Sequence, residues 1–163
     1  MISAFAPALD TCGATLGTVY YDSVYSVGNK TFNNWYGQKY TGYSSIRDGI
    51  IYSMNIVAVR CLMETVSPQL GLEYAENFGI TTLTSQDLGA SQALGGLTHG
   101  TTNLELTAAY ASIANEGIYT RPVFFTKILD HDGKILINNE PETHRVLKDS
   151  TAFLLTDAMA GSM

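Results

Sequence analysis

The chain has 163 residues, 45% of them hydrophobic and 15% charged, with a net charge of −6 and a pI near 4.8. That balance suits one globular domain with a sizeable core and excludes a disordered chain. Nine Lys and Arg against fifteen Asp and Glu leave no footprint for nucleic acid and no basic patch for an anionic membrane.

Met1 opens directly into Ile-Ser-Ala-Phe-Ala-Pro-Ala-Leu, without the basic, apolar, small-residue order of a leader. No apolar run reaches the ~18 residues of a membrane span. Residues 4–10 read as a short helix ending near Asp10-Thr11-Cys12-Gly13. Cys12 and Cys61 lack CxxC spacing, which predicts two free, buried thiols. Residues 11–44 are rich in Tyr, Asn, Gly and Ser and hold no steady period across 15–43, so they read as a long ordered loop with a short strand near Val19 to Tyr21. Loops of that length inside a compact domain usually serve function.

The helical part spans 45–117. Ser45-Ile46-Arg47-Asp48 has the shape of a capping box, and Ile46, Ile50, Ile51, Met54, Val57, Ala58, Cys61 and Leu62 then recur at helical spacing. Pro68 opens the next helix, which ends before Gly79. Residues 80–100 are turn-rich. Thr102-Asn103-Leu104-Glu105 is a second capping box, and Gly117 is expected as the left-handed cap of its helix. Ala108, Ala109, Ala111 and Ala114 keep that helix thin, as a core helix packed on several sides would be. Residues 120–139 change to strand character around Asp130-His131-Asp132-Gly133, a hairpin signal. A last helix covers 149–161, capped by Ser150 or Asp149. Its pattern is still running at Met163, so both ends read as cut. The whole, 1–163, reads as one partial domain of mostly helical α+β class, without internal repeats.

Ser53-Met54-Asn55 is weak by itself, since an S-x-N triplet arises in roughly every second chain of this length from average usage. Without context these are two polar residues on the solvent side of a helix. Their surroundings are specific. Trp35 and Gly42-Tyr43 precede the triplet, Ile-Val-Ala-Val-Arg comes directly after it, and then come Ala93-Leu94-Gly95-Gly96, Gly100, Leu104-Glu105-Leu106, Ala108-Ala109-Tyr110, Asp132-Gly133-Lys134 and Ala152-Phe153-Leu154-Leu155-Thr156-Asp157. In this order they resemble the transpeptidase domain of bifunctional, class A penicillin-binding proteins over essentially the whole chain. The implied fold is an incomplete domain of the serine β-lactamase-like kind, its hairpin belonging to the central antiparallel sheet.

The resemblance implies a peptidoglycan D,D-transpeptidase that crosslinks stem peptides through a serine acyl-enzyme and is acylated by β-lactams. Ser53 would relay a proton, Asn55 would hold the substrate backbone and orient a lysine, and Trp35 would stand at the cleft rim against the acyl chain. The plain alternative for Trp35 is an indole packed in a loop. No metal and no cofactor is implied. The implied partners are the stem peptide, β-lactams and the remainder of the domain or a second copy, with a membrane-anchored parent working on the outer face of the bacterial cell membrane.

Geometry adds one requirement. Residues i and i+2 of a continuous helix point about 200° apart, so Ser53 and Asn55 share a cleft only if the helix breaks near Tyr52 to Met54, with Ser53 or Asn55 capping the next helix. Two family motifs are missing: no serine has a lysine three positions later, and Lys-Thr-Gly does not occur. The chain alone is therefore expected to be inactive. The competing reading is a non-catalytic binding or interaction module on the same scaffold. His99, His131 and His144 share no metal-ligand spacing, and Asp130 and Asp132 lack a calcium-loop frame.

Overall fold

Two capping boxes frame the helical part of the computed structural model, which describes residues 1–162. In the first, Ser45 Oγ accepts the Asp48 amide at 3.1 Å while Asp48 Oδ2 accepts the Ser45 amide at 3.0 Å, and α2 (Ile46–Ile51) begins there. In the second, Thr102 and Glu105 exchange the same pair of bonds ahead of α5 (Asn103–Ala114). Each box satisfies amides that a helix start leaves without a partner.

Helix α1 (Phe5–Asp10) buries Phe5, Ala6, Pro7 and Ala8 against the centre of the molecule. Helix α3 (Asn55–Arg60) continues α2 after a break and runs into a wider π-type stretch, Cys61–Val66. Ile56, Val57, Val59, Cys61 and Leu62 are fully buried there, so these two segments form the axis of the core. Helix α4 (Pro68–Asn77) starts on Pro68, with Ser67 Oγ accepting the Leu70 amide, and contributes Leu72, Tyr74 and Ala75. Helix α6 (Asp149–Ala160) closes the core with Ala152, Leu155 and Ala158. At this side Asp10 is the tie: its carboxylate accepts from the Tyr74 hydroxyl at 2.8 Å and from the Lys148 amide at 2.9 Å.

Several expectations change here. The stretch read as a loop, 11–44, has the one strand expected near Val19 to Tyr21, β1 (Val19–Asp22), and three that were not: β2 (Tyr25–Val27), β3 (Lys30–Phe32) and β4 (Gly42–Ser45). β1 pairs antiparallel with β4, Tyr20 opposite Ser44, and β2 pairs with β3. At three or four residues each, they are too short to show a period. Helix α5 buries only Ala108, Ala109, Ser112 and Ile113 and leaves Leu104, Leu106 and Tyr110 exposed, so it is packed on one side and not several. The cap of α6 is neither Ser150 nor Asp149. Lys148 holds that position, and Asp10 takes its amide from outside.

The hairpin forms from β6 (Lys127–Leu129) and β7 (Ile135–Asn138), around a turn in which Asp130 Oδ1 accepts the amides of Asp132 and Lys134. It stands between β5 (Ile118–Thr120) and β8 (Thr143–Arg145), which pair with each other. Among the described residues each strand has one partner, giving four two-stranded ladders. The hairpin pairs with no other strand among the described residues, in keeping with an incomplete sheet, and every residue of β6 and β7 is exposed. Gly117 leads into β5 with φ +79°, and a Cβ there would lie 2.3 Å from the Leu147 carbonyl oxygen. No helix among the described residues is long and apolar enough to cross a membrane.

Candidate active site

The α2–α3 axis breaks where Ser53 and Asn55 require it. Tyr52 ends α2, the Ser53 amide bonds back to the Ile50 carbonyl at 3.3 Å, and the Met54 amide reaches the Gly49 carbonyl at 2.9 Å. That pair of bonds is a Schellman closure, whose first residue past the cap adopts the left-handed conformation that glycine favours. Here the residue is Ser53, at φ +51°. A side chain in that region costs of order 1–2 kcal/mol, and such strain concentrates at functional sites.

Met54 is extended, and Asn55 is the first residue of α3. Neither Ser53 nor Asn55 caps that helix: Met54 stands at the cap position, and the Ile56 amide is taken at 3.2 Å by Asn34 Oδ1. Asn55 Nδ2 donates instead to the Asn33 carbonyl at 3.0 Å. The Trp35 indole Nε1 donates to the Tyr52 carbonyl at 3.1 Å, at the end of α2, while 72% of the residue remains exposed. Tyr36 meets its ring edge-on at 5.3 Å.

Two cavities meet at the break. Ser53 and Asn55 both line one of about 580 Å³, whose far wall includes Ile2, Gln92, Leu94, Leu106 and Tyr110. Ser53 also lines a second, of about 700 Å³, with Trp35, Tyr43, Asp48 and Tyr52. Ser53 thus borders both cavities, sharing one with Asn55 and the other with Trp35. Asn55 lines the first of these and not the second, and Trp35 the second and not the first.

The Ser53 hydroxyl takes part in no hydrogen bond among the described residues, so none of their basic groups is bonded to it. The nearest capping acid, Asp48, is committed to Ser45, whose hydroxyl and amide bonds hold its pKa below the ordinary carboxylate value. Cys61 offers no alternative nucleophile, because burial pushes its thiol up to about 11. Cys12, half-buried, is also free. Of the histidines, His144 bonds the Asn77 carbonyl and His131 pairs with Asp132 on an exposed turn. No group of three His, Cys, Asp or Glu side chains suited to a metal occurs among the described residues. The turn therefore leaves the Ser53 hydroxyl without a partner among the described residues and ties the Asn55 amide to the Asn33 carbonyl.

Sequence reasoning missed the residues behind the break. Asp22 and Asn34 are buried polar residues, joined by a 2.8 Å bond from Asn34 Nδ2 to Asp22 Oδ1. Thr41 donates to Asp22 Oδ2 through both its amide and its hydroxyl. Only the crowding of Asn residues just before Trp35 hinted at them.

The match to known proteins runs the length of the chain. Residues 2–162 fit the family described as the penicillin binding protein transpeptidase domain. Penicillin-binding protein 1A of Clostridium botulinum is 32% identical over 170 aligned residues, covering 98% of this chain and 20% of that protein. Penicillin-binding protein 1F of Bacillus subtilis is 32% identical over 155, covering 95% of this chain and 21% of that protein. The crystal structure of penicillin-binding protein 1A from Haemophilus influenzae superposes with a TM-score of 0.82 at 25% identity, across 99% of this chain and 29% of that one. The chain spans about a fifth of the length of these curated relatives. With the broken helix in place and the match unbroken from end to end, the chain belongs to the transpeptidase domain of the class A penicillin-binding proteins.

Proposed function

We propose that this chain forms part of a peptidoglycan D,D-transpeptidase and supplies the S-x-N wall of its cleft. A serine outside this sequence, with the lysine of its S-x-x-K motif taking its proton, would attack the penultimate D-alanyl carbonyl of a stem peptide and form the acyl-enzyme. The carbonyl–nitrogen bond breaks, the terminal D-alanine leaves with a proton, and an amine from a neighbouring stem then displaces the serine to make the crosslink. Ser53 passes the proton toward the departing amine, and Asn55 holds the substrate backbone and orients the lysine. Trp35 flanks the acyl chain, or the equivalent part of a β-lactam. The work takes place on the outer face of a bacterial cell membrane.

One observation carries this reading: the helix is broken at a strained serine, and Ser53 and Asn55 both line one cavity. An unbroken helix would have turned them apart. The chain lacks S-x-x-K and Lys-Thr-Gly, and by itself it does not acylate. Losing members of such a catalytic unit costs about 10⁴- to 10⁶-fold in rate. Fluorescent penicillin tests the reading: the 163-residue chain stays unlabelled, and a polypeptide carrying it between both flanking motifs is labelled. Robust covalent labelling of the chain alone overturns it, and a parent gene without those motifs points to a binding module instead.

A further inference from the structure

Helix α3 starts without a cap of its own. Met54, at the position where Ser, Thr, Asp or Asn normally accepts a free amide, is buried in the core and offers no such oxygen. The acceptor arrives from the loop: Asn34 Oδ1 takes the Ile56 amide at 3.2 Å. Asn34 is itself only 4% exposed, and its orientation is fixed from behind. The Asp22 carboxylate only accepts, so the NH₂ of Asn34 must face it, at 2.8 Å, leaving the carbonyl for Ile56. Thr41 holds the other Asp22 oxygen with two bonds. The residues on either side of Asn34 complete a strap. The Asn33 carbonyl accepts from Asn55 Nδ2 at 3.0 Å, and Trp35 Nε1 donates to the Tyr52 carbonyl at 3.1 Å. Three consecutive loop residues thus clasp both sides of the strained turn at Ser53.

We infer that Asn34 is a positioning residue for the Ser53 and Asn55 pair, acting through the first turn of α3. This rests on Ser53 and Asn55 forming the S-x-N wall of a transpeptidase cleft. By fixing where α3 begins, Asn34 sets the direction of Asn55 and holds the bend that presents Ser53. Without the acceptor the first turn opens, and Asn55 opens with it.

The test uses hydrogen exchange in the 163-residue chain and penicillin acylation in the polypeptide that carries both flanking motifs. Asn34→Leu, similar in size and without polar atoms, exchanges the Ile56 amide about five- to tenfold faster, as loss of one cap implies. It also slows the covalent step of acylation by about 10- to 100-fold, the scale of a misplaced catalytic group. Asn34→Asp recovers activity as the pH is lowered, because two adjacent carboxylates share a proton and the introduced acid can then donate to Asp22 and accept from Ile56. Tyr74→Phe, which loses bonds to Asp10 and Thr11 far from the break, lowers the melting temperature and leaves acylation unchanged. Unaltered Ile56 exchange in Asn34→Leu overturns the inference, as does acylation at the wild-type rate by that variant. A wild-type polypeptide that does not acylate overturns the proposed function, and the inference with it.

Discussion

Gly49 and Val57 touch so closely across the α2–α3 break that a Cβ on Gly49 would lie 2.6 Å from Val57 Cγ1 and 3.2 Å from Phe5 Cζ. Helix α3 folds back over that glycine, and the tight approach fixes the angle at which Ser53 emerges. In an exposed helix, alanine is better than glycine by about 1 kcal/mol. Here steric conflict decides the sign, because overpacking a filled core costs about 1–3 kcal/mol. Gly49→Ala is expected to lower stability by about 1–2 kcal/mol in urea unfolding. A stabilised variant would show that the two helices part freely.

Ser53 occupies a left-handed position that glycine fills without cost. Ser53→Gly is therefore expected to be more stable than Ser53→Ala by about 1 kcal/mol, and at least as stable as the wild type. Thermal unfolding of the three proteins, compared at one pH, measures this. Equal melting temperatures for Gly and Ala would mean that the turn is not strained.

Acid should weaken the fold through two carboxylates that stitch the 80–102 region. Asp87 is held down to about 2 by the Thr98 hydroxyl and amide first, with Thr84 adding two more bonds. Glu105 is also held down to about 2, chiefly by the Thr81 hydroxyl and the Thr102 amide. Both folded values lie below the ordinary 3.8 and 4.5, so the unfolded chain binds protons more readily. Their contribution is complete above those ordinary values and is lost as the pH falls toward about 2. The urea midpoint should decline over that window, and Asp87→Asn should flatten the decline while lowering the midpoint at neutral pH. A parallel curve for Asp87→Asn would contradict the assignment.

Much of this frame was legible in the sequence. Both capping boxes are local, with partners three residues apart, and they formed as read. The break near Tyr52 to Met54 came from helix geometry once Ser53 and Asn55 were required to share a wall. What escaped is non-local. The cap of α3 comes from Asn34 and that of α6 from Asp10, 138 residues before the Lys148 amide it accepts. Nothing near Met54 or Lys148 announces a partner so distant in sequence. The buried Asp22 network escaped for the same reason. Helical period marked residues of α5 as apolar, but it could not tell which of them would find neighbours.

Apolar side chains stand open both at the hairpin and on α6. Phe124 is 92% exposed and Phe153 71%, and the seven residues of β6 and β7 are exposed too. Strand edges and apolar patches of this kind promote association. The 163-residue chain is expected to self-associate in sedimentation velocity as its concentration rises, and to do so less when Phe124 and Phe153 are replaced by Ser. A monomer at high concentration would show that these apolar residues are not adhesive.

The most direct measurement is the second-order rate of acylation by a fluorescent penicillin, in a polypeptide that carries this domain between S-x-x-K and Lys-Thr-Gly. Ser53→Gly keeps the turn and removes the hydroxyl together with its Cβ. If Ser53 passes the proton, the rate falls by about 10²- to 10⁴-fold with the fold intact, as for the loss of a general acid–base group. A Ser53→Gly protein acylating within twofold of the wild type would remove Ser53 from the chemistry and leave the broken helix without the purpose assigned to it.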